Sequence, residues 1–536
     1  MTSFIPGEND ALPSSSKWMR SLARVGMALS LAHLCLIRAW YSALYPAGDG
    51  YYNQLPVNFP VLAGLFLNLL LLTLIFKIGI FAVRTNPRIW PRRLAIILVG
   101  MLLLIPFNFI RLQYFHISGA SMISLIGHPA VMGCSVVAVV LAWRWYAVVA
   151  TFVRGILLIL FPFALWTLLL LVHLAGGLIC QPLAPTQKLA SLLTVKAGQP
   201  RVVWLIFDEL DYRVAFEKCP PGVALPEFDR LRSESLFATR ATEPGANTII
   251  SMPALLNGQH VVFSEPASAN DLRVTFSNAP ESTLWSTTAT VFSQALELGY
   301  NTAIVAWYHP YRRLFGHDLN YCSDYPLPLY EQARGHTLGQ AMANQLWSAL
   351  APIQQRRLTL QVYQNGLADA LQVATNPVYG LSLLHLMGPH EPGIYQPDRN
   401  RFTVTLFSTV EGYFNNLVLT DRTLGQLRRA MEKAGVWDST WLIISADHHW
   451  RKSNLYDGKT DDRVPFIVKP CGTKVGSGQD MAFPFDTVMT HDLILAILCG
   501  KVTNALSARA WCQTTHVLPI LTLDPSQGDV GLMTVR

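Results

Sequence analysis

Asp208 closes the segment Arg201-Val-Val-Trp-Leu-Ile-Phe207, and Asp447-His448 closes Thr440-Trp-Leu-Ile-Ile-Ser-Ala446. In both places a short apolar run of β-formers ends abruptly in an acidic residue, as when a buried parallel strand hands a ligand to the carboxyl edge of its sheet. Two such edges can share one metal ion. Between them lies Asn247-Thr-Ile-Ile-Ser-Met-Pro-Ala-Leu-Leu-Asn-Gly258, a turn into a helix whose leading hydroxyl is Thr248. A hydroxyl at a helix start beside a metal is placed as a nucleophile, because a divalent cation stabilises the alkoxide and offsets charge on phosphate oxygens. Asp208, Asp447 and His448 supply two carboxylates and an imidazole, leaving a position for Thr248 Oγ1 and substrate. Such a mixed oxygen and nitrogen set suits Zn²⁺ or Mn²⁺ better than Ca²⁺.

A second histidine pair lies in His385-Leu-Met-Gly-Pro-His390-Glu-Pro392, directly after an apolar run. On a strand-to-loop segment both imidazoles can point into one cleft, where they can donate to phosphate oxygens or protonate a leaving alkoxide. The segment Trp307-Tyr-His-Pro-Tyr-Arg-Arg313 combines aromatics with two arginines, which reads either as the lining of an acceptor groove or as a solvated loop.

The elements that must position these groups are strands alternating with helices. Besides the two ligand strands, Asn301–Trp307, Val378–His385 and Val464–Lys469 read as strands. From Val404 to Lys433, Leu406, Val410, Phe414, Leu417, Leu424, Leu427 and Met431 recur at near-helical spacing, with Gly435 as a stop. The expectation is a doubly wound, mostly parallel α/β sheet after about residue 200.

Residues 1–180 have a different character. Five apolar stretches, roughly 22–45, 60–82, 94–110, 129–150 and 156–179, each approach the ~20 residues that a membrane core demands. Lys17, Arg20 and Arg24 precede the first; Arg84, Arg88, Arg92 and Arg93 separate the second and third; Arg144 and Arg154 lie around the fourth turn. The loops around 46–58 and 112–128 carry no Lys and only Arg111 borders the second. The positive-inside rule then puts the amino terminus in the cytoplasm and, with an odd number of spans, everything after residue 180 outside. The first 17 residues are polar and no convincing cleavage site follows, so the first span is expected to stay as an anchor.

With these segments in this order, residues from about 200 to 500 resemble the alkaline phosphatase and sulfatase superfamily. The likeness is closest to its membrane-anchored branch of phosphoethanolamine transferases, phosphoglycerol transferases and lipoteichoic acid synthases. In sulfatases the nucleophile opens a Cys-x-Pro-Ser-Arg-x-x-Leu-Leu-x-Gly pattern. Matching Leu255, Leu256 and Gly258 puts Thr248 at the cysteine and Ser251 at the motif's serine, with Ile250 and Met252 replacing its proline and arginine. Threonine cannot become the formylglycine of true sulfatases, so the chain is similar to the threonine-nucleophile branch, which moves phosphoryl groups. The resemblance implies an alkaline phosphatase-like fold and a metal held by Asp208, Thr248, Asp447 and His448. The His385 to Pro392 segment matches the His-x-Met-Gly-x-His-x-Pro of lipid A phosphoethanolamine transferases, implying that His385 and His390 contact substrate phosphate or a weaker second metal. Glu209 stands where many sulfatases have a second aspartate. His449 replaces the usual glycine after Asp-His, and Lys459 precedes the Val-Pro strand where the family places a further substrate or metal residue. Thr420-Asp421-Arg-Thr-Leu424-Gly425 matches a structural helix of the family.

The resulting division is a transmembrane bundle over 1–180, a linker over 181–199, a catalytic domain over 200–515 and a tail over 516–536. Composition agrees: 51% hydrophobic and 14% charged residues with a mean hydropathy of +0.30 are too apolar for a wholly soluble chain. The net charge of +7 sits largely in the expected cytoplasmic loops. No long basic run appears in the later part, which excludes a nucleic-acid partner. Six of eight cysteines lie outside the spans and would face an oxidising compartment; no Cys-x-x-Cys occurs.

Three classes of function stay open at this point. One is a multi-pass plasma (inner) membrane transferase, its catalytic domain extracytoplasmic or periplasmic. It would take a phosphoethanolamine- or phosphoglycerol-type head group from a phospholipid donor, hold it on Thr248 and pass it to an envelope lipid or glycan. The second is a phosphodiesterase or phosphatase with water as acceptor, and the third a catalytically silent lipid-binding regulator on the same scaffold.

Overall fold

The computed structural model describes residues 17–44, 50–53, 57–113, 128–180, 187–279 and 281–514. Strand β1 (Arg201–Phe207) is buried along its whole length. Val202, Trp204 and Ile206 enter one core with Leu255 and Leu256, while Val203, Leu205 and Phe207 enter another with Tyr413, Leu417 and Leu424. A strand covered on both faces requires the continuous apolar run seen in the sequence, and it requires helices above and below.

The remaining strands of this sheet are β2 (Leu236–Ala238), β3 (Thr302–Trp307), β4 (Tyr321–Tyr325), β5 (Leu381–Leu386), β6 (Thr440–Ser445), β7 (Phe466–Lys469) and β8 (Gln479–Met481). Their spatial order is β8-β2-β7-β6-β1-β5-β3-β4. From β6 through β4 all neighbours are parallel. Strand β7 runs antiparallel to β6 and β2, so the sheet is mixed, with one reversed strand in an otherwise parallel array. Register matters most at the carboxyl edge. Ile206 pairs with His385 on one side and with Ser445 on the other, so β1, β5 and β6 finish at nearly the same level.

Among the described residues of the first 180 the helices are α1 (Lys17–Cys35), α2 (Ile37–Leu44), α3 (Phe59–Thr85), α4 (Trp90–Leu102), α5 (Ile105–Gln113), α6 (Pro129–Arg144) and α7 (Tyr146–Cys180). Among the described residues three helical stretches, Phe59–Thr85, Trp90–Ile110 and Tyr146–Gly176, are long and apolar enough to cross a membrane; α1 and α2, bent by 67°, add a fourth if they form one span. The stretch expected as a span over 129–150 is interrupted at Trp145, leaving a 16-residue α6, and the last helix begins at Tyr146 rather than 156. The expected loops around 46–58 and 112–128 lie largely outside the described residues, as do linker positions 181–186 and the tail 516–536. The rest of the linker lies along the sheet domain. Ala190 N–H donates to Leu319 O (2.9 Å) and Leu193 N–H to Asn301 Oδ1 (2.7 Å). The seven cysteines with described side chains are all free thiols.

Four further helices matter to the site: α8 (Thr248–Asn257), α9 (Leu338–Trp347), α10 (Ala351–Thr375) and α11 (Thr409–Lys433). Helix α9 ties the two parts of the chain together. Asn68 of α3 donates to Gln345 Oε1 (2.9 Å), and Gln345 Nε2 donates to Val61 O (2.8 Å).

Candidate active site

Asp208 and Asp447 each follow a strand that ends at the same level, so their carboxylates meet above the sheet edge. Opposite them Thr248 is the first residue of α8. Asn247 caps that helix, its side chain accepting the Ile250 N–H (3.2 Å), and Gly258 ends it at φ +66°, a conformation that costs glycine little. This turn presents the Thr248 hydroxyl to the carboxylates: Oγ1 donates to Asp447 Oδ2 at 2.8 Å and stands 3.5 Å from Asp208 Oδ2 and 3.3 Å from His448 Nε2. His448 Nδ1–H donates to His449 O (2.9 Å), which fixes the tautomer and leaves the Nε2 lone pair facing the cluster. His448 Nε2 lies 3.4 Å from Asp447 Oδ2 and 3.8 Å from Asp208 Oδ1.

His385 belongs to the same set. Its Nε2 is 3.8 Å from Asp208 Oδ2, and one donor atom each from Asp208, His385 and Asp447 lie within 4.8 Å of one another. The side chains of Asp208, Thr248, His385, Asp447 and His448 are all buried. Among the described residues neither ring nitrogen of His385 has a hydrogen-bond partner, nor does Asp208 Oδ1. Buried polar atoms left this way are costly unless something else binds them. Ligands 2.0–2.2 Å from a zinc-sized ion stand ~3.4 Å apart in a tetrahedron, close to the separations here. The donors therefore fit a divalent cation.

Electrostatics point the same way. Burial and the nearby charge of Asp447 push the Asp208 carboxyl well above its ordinary range. Burial acts on Asp447 in the same sense, yet the His448 and His385 rings and the Thr248 and Glu209 donors hold it below that range. Burial also lowers His385, to about 4, so its imidazole is neutral and able to ligate. Two carboxylates this close share a proton unless a cation lies between them.

The other sequence candidates have different partners. Glu209 sits at φ +62°, and its Oε1 accepts from Arg451 Nε (3.0 Å). His449 is turned to Glu243, with Nδ1–H donating to Oε2 (2.7 Å). Ser251 Oγ donates to Gly245 O (2.8 Å) within the fold of the turn. Lys459 is exposed, and its carbonyl accepts from Arg213 (2.9 Å). His390 donates from Nδ1 to Glu391 O (2.6 Å) and packs edge-on against Trp307 at 5.2 Å, half-buried beside His385.

Sequence reasoning missed two groups. Tyr413 of α11 donates from its hydroxyl to Glu209 O (2.8 Å) and accepts the Asp211 N–H (3.2 Å), while its ring stacks on Trp450 at 3.9 Å. It thereby braces both ligand-bearing loops. The helical spacing had shown α11 but not that a polar ring pointed from it to the sheet edge. The second group is Tyr51, outside the sheet domain, whose contact with His309 is described below.

Among solved structures, the lipoteichoic acid synthase LtaP from Listeria monocytogenes shares 13% identity at a TM-score of 0.36, covering 57% of this chain and 75% of its own. The phosphonate monoester hydrolase of Agrobacterium radiobacter shares 12% at 0.39, covering 56% and 74%. That of Silicibacter pomeroyi shares 15% at 0.38, covering 56% and 73%. No curated protein sequence matches the chain. The family model described as Sulfatase, however, matches residues 200–482. That interval runs from the start of β1 to just past β8 and takes in every residue of the cluster around Thr248. It spans more than half of the chain, which therefore belongs to the sulfatase family.

Proposed function

We propose that the chain is a membrane-anchored, metal-dependent phosphotransferase that moves a phospholipid-derived head group, of phosphoethanolamine or phosphoglycerol type, through a covalent intermediate on Thr248. The observation that carries this reading is the Thr248 hydroxyl held within 3.5 Å of Asp208, Asp447 and His448, at a position where threonine rules out formylglycine chemistry.

A divalent ion held by Asp208, Asp447, His448 and His385 would stabilise the alkoxide and neutralise phosphate charge. The chain's own residues do the rest. Asp447 Oδ2 accepts the Thr248 proton as Oγ1 forms its bond to phosphorus, and the phosphorus–oxygen bond to the lipid's glycerol breaks. His390, half-buried at the rim, protonates the departing alkoxide, giving diacylglycerol. In the second half the hydroxyl of an envelope lipid or glycan attacks phosphorus, gives its proton to His390, and Thr248 leaves and recovers its own.

The chain's path supports a lipid-borne donor on the extracytoplasmic side. Residues 50–53, between α2 and α3, contact the sheet domain, and so do residues 187–193 after α7. Both points lie on the domain's side of the bilayer, so an even number of crossings separates them. Three long apolar helices lie between them, and α6, ~24 Å at 1.5 Å per residue, is the candidate for the fourth. The arginine-bearing turns, Arg84 to Arg93 and Arg144, then fall on the opposite, cytoplasmic face.

The test is to incubate the full chain with vesicles containing phosphatidylethanolamine labelled in its head group, without acceptor. Label is expected on the peptide containing Thr248, with diacylglycerol formed in proportion, and Thr248→Ala is expected to abolish both while folding normally. Label on another residue would refute the reading; free labelled phosphoester without transfer to any lipid or glycan would favour a hydrolase.

A further inference from the structure

His309 lies behind the nucleophile and is completely enclosed. Its Nε2–H donates to the main-chain carbonyl of Thr248 (3.2 Å), and, the enclosed ring being neutral, Nδ1 is bare and accepts the Tyr51 hydroxyl at 2.7 Å. The ring is boxed by Trp285 (centroids 5.0 Å), Tyr308 (4.8 Å), Tyr311 (5.7 Å) and Tyr51 (5.9 Å). Tyr308, just before it, is held at φ +79°, a strained conformation for a bulky residue that persists only where surrounding contacts over-determine it.

Tyr51 comes from the membrane part of the chain, in the short segment between α2 and α3. That segment is locked down. Arg313 donates to Tyr51 O (2.7 Å) and Asn53 O (3.1 Å), and Asn53 donates to Tyr330 O (3.1 Å). Tyr52 stacks on Tyr330 and meets Tyr308 edge-on. Tyr51 is wholly buried, and among the described residues its hydroxyl bonds to His309 alone. A loop that served only as an anchor would be complete with the Arg313 and Asn53 contacts. The additional chain of hydrogen bonds ends on the backbone of the residue that carries the hydroxyl.

We infer that the segment Gly50–Asn53 is part of the active site, with Tyr51 a positioning residue that sets the tautomer and tilt of His309 and, through the Thr248 carbonyl, the aim of the Thr248 hydroxyl. Catalysis in the outer domain then depends on the membrane part being docked. This rests on Thr248 being the nucleophile. Tyr308 and Arg313, which the sequence placed either in an acceptor groove or in a solvated loop, contact this segment.

The experiment uses the full chain in detergent with bis(4-nitrophenyl) phosphate as probe. Tyr51→Phe keeps the ring and removes one hydroxyl; kcat is expected to fall about three- to tenfold, the effect of one neutral hydrogen bond, with KM unchanged. His309→Leu is expected to fall further, and adding Tyr51→Phe to it should cost nothing more, because both act through one chain of bonds. His309→Gln, which can accept from Tyr51 and donate to Thr248 O, should recover most of the loss. Wild-type kcat in Tyr51→Phe, additive losses, or a change confined to KM would overturn the inference. A wild-type chain that never labels Thr248 would instead refute the nucleophile assignment. Independently of turnover, ¹⁵N NMR of histidine-labelled protein should show His309 protonated at Nε2 with a hydrogen-bonded Nδ1, and Tyr51→Phe should abolish that signature. A wild-type spectrum protonated at Nδ1 would also overturn it.

Discussion

Replacing Tyr413 by phenylalanine tests whether the metal ligands are held by a brace or merely by their strands. The phenol touches both sides of the first ligand turn, donating to Glu209 O and accepting from Asp211 N–H. Glu209, adjacent to Asp208, sits in the left-handed region at φ +62°, which costs a non-glycine residue roughly 1 kcal/mol or more. The turn therefore has a strain to hold as well as a position. Removing the oxygen deletes two buried hydrogen bonds at about 1 kcal/mol each and leaves a buried N–H and carbonyl unsatisfied, so the loss comes to about 2–4 kcal/mol. The stack on Trp450 survives, because the rings lie 3.9 Å apart and nearly parallel and the ring itself is kept.

For a domain of roughly 300 residues such a loss lowers Tm by roughly 3–6 °C. The decisive measurement is metal affinity, by competition with a chelator of known strength. A second layer of contacts that orients ligands is typically worth about 10–100-fold in metal binding, and Tyr413→Phe is expected to fall in that range. If Tm drops while metal affinity stays at the wild-type value, Tyr413 supports the fold only and the bracing argument is wrong. If neither moves, the hydrogen bonds carry nothing.

Asp447→Asn keeps the shape of the site but removes an anionic ligand, and elemental analysis is expected to find the metal lost; full occupancy would refute the ligand assignment. Thr248→Ser is expected to keep part of the activity and Thr248→Ala to lose several orders of magnitude, measured with the aryl diester and checked by circular dichroism for folding. Burial pushes the Asp421 carboxyl up to about 7. A raised carboxyl favours the folded state while protonated, so its contribution is present at low pH and is lost as pH rises from about 4 through 7. Asp421→Asn, which can still accept the Glu227 and Phe228 N–H groups, should therefore gain in Tm over wild type across that interval and hold the gain above it. A gain independent of pH would contradict the shift. A reporter active only outside the cytoplasm should be silent when fused at Arg88 or Trp145 and active after residue 190. Activity at Trp145 would show that α6 does not cross.

How much of this site could be read from the chain depended on whether the information was local. Asp208 and Asp447 stood out because each ends an apolar run, and a run buried on both faces is visible in seven consecutive residues. The nucleophile helix was likewise marked by its cap, Asn247, and its stop, Gly258. His385 was assigned to substrate phosphate or a weaker second metal rather than to the carboxylates of the first, because a strand's neighbours are not written in its own sequence. Only the pairing of Ile206 with both His385 and Ser445 shows that these strands end level. The reversed β7 escaped for the same reason, its apolar text, Phe466 to Lys469, carrying no sign of direction. The interruption at Trp145 is a failure of another kind. Both sides of it are apolar and helix-compatible, and a window of hydropathy passes smoothly over a break made by one residue.

Tyr51 and Tyr413 show what local reading leaves out. Each reaches the site across more than 200 positions of sequence, from an element whose pattern is explained without it: Tyr413 on a helix with a complete apolar stripe, Tyr51 between two apolar helices. Their polar tips make the difference. A phenol buried to this depth requires a partner for its hydroxyl. The two tyrosines find theirs on opposite sides of the cluster, one on the turn after β1 that carries Asp208 and one on the ring that holds the Thr248 carbonyl. The Asp208 and Thr248 groups are thus set by contacts from α11 and from the segment before α3, neither of which supplies a reacting atom. That division accounts for how the chain can depart from the sulfatase text at Ile250, Met252 and His449 and still bring a hydroxyl to two carboxylates. What the site requires is the distance between them, and that distance is fixed by braces which a short motif does not contain.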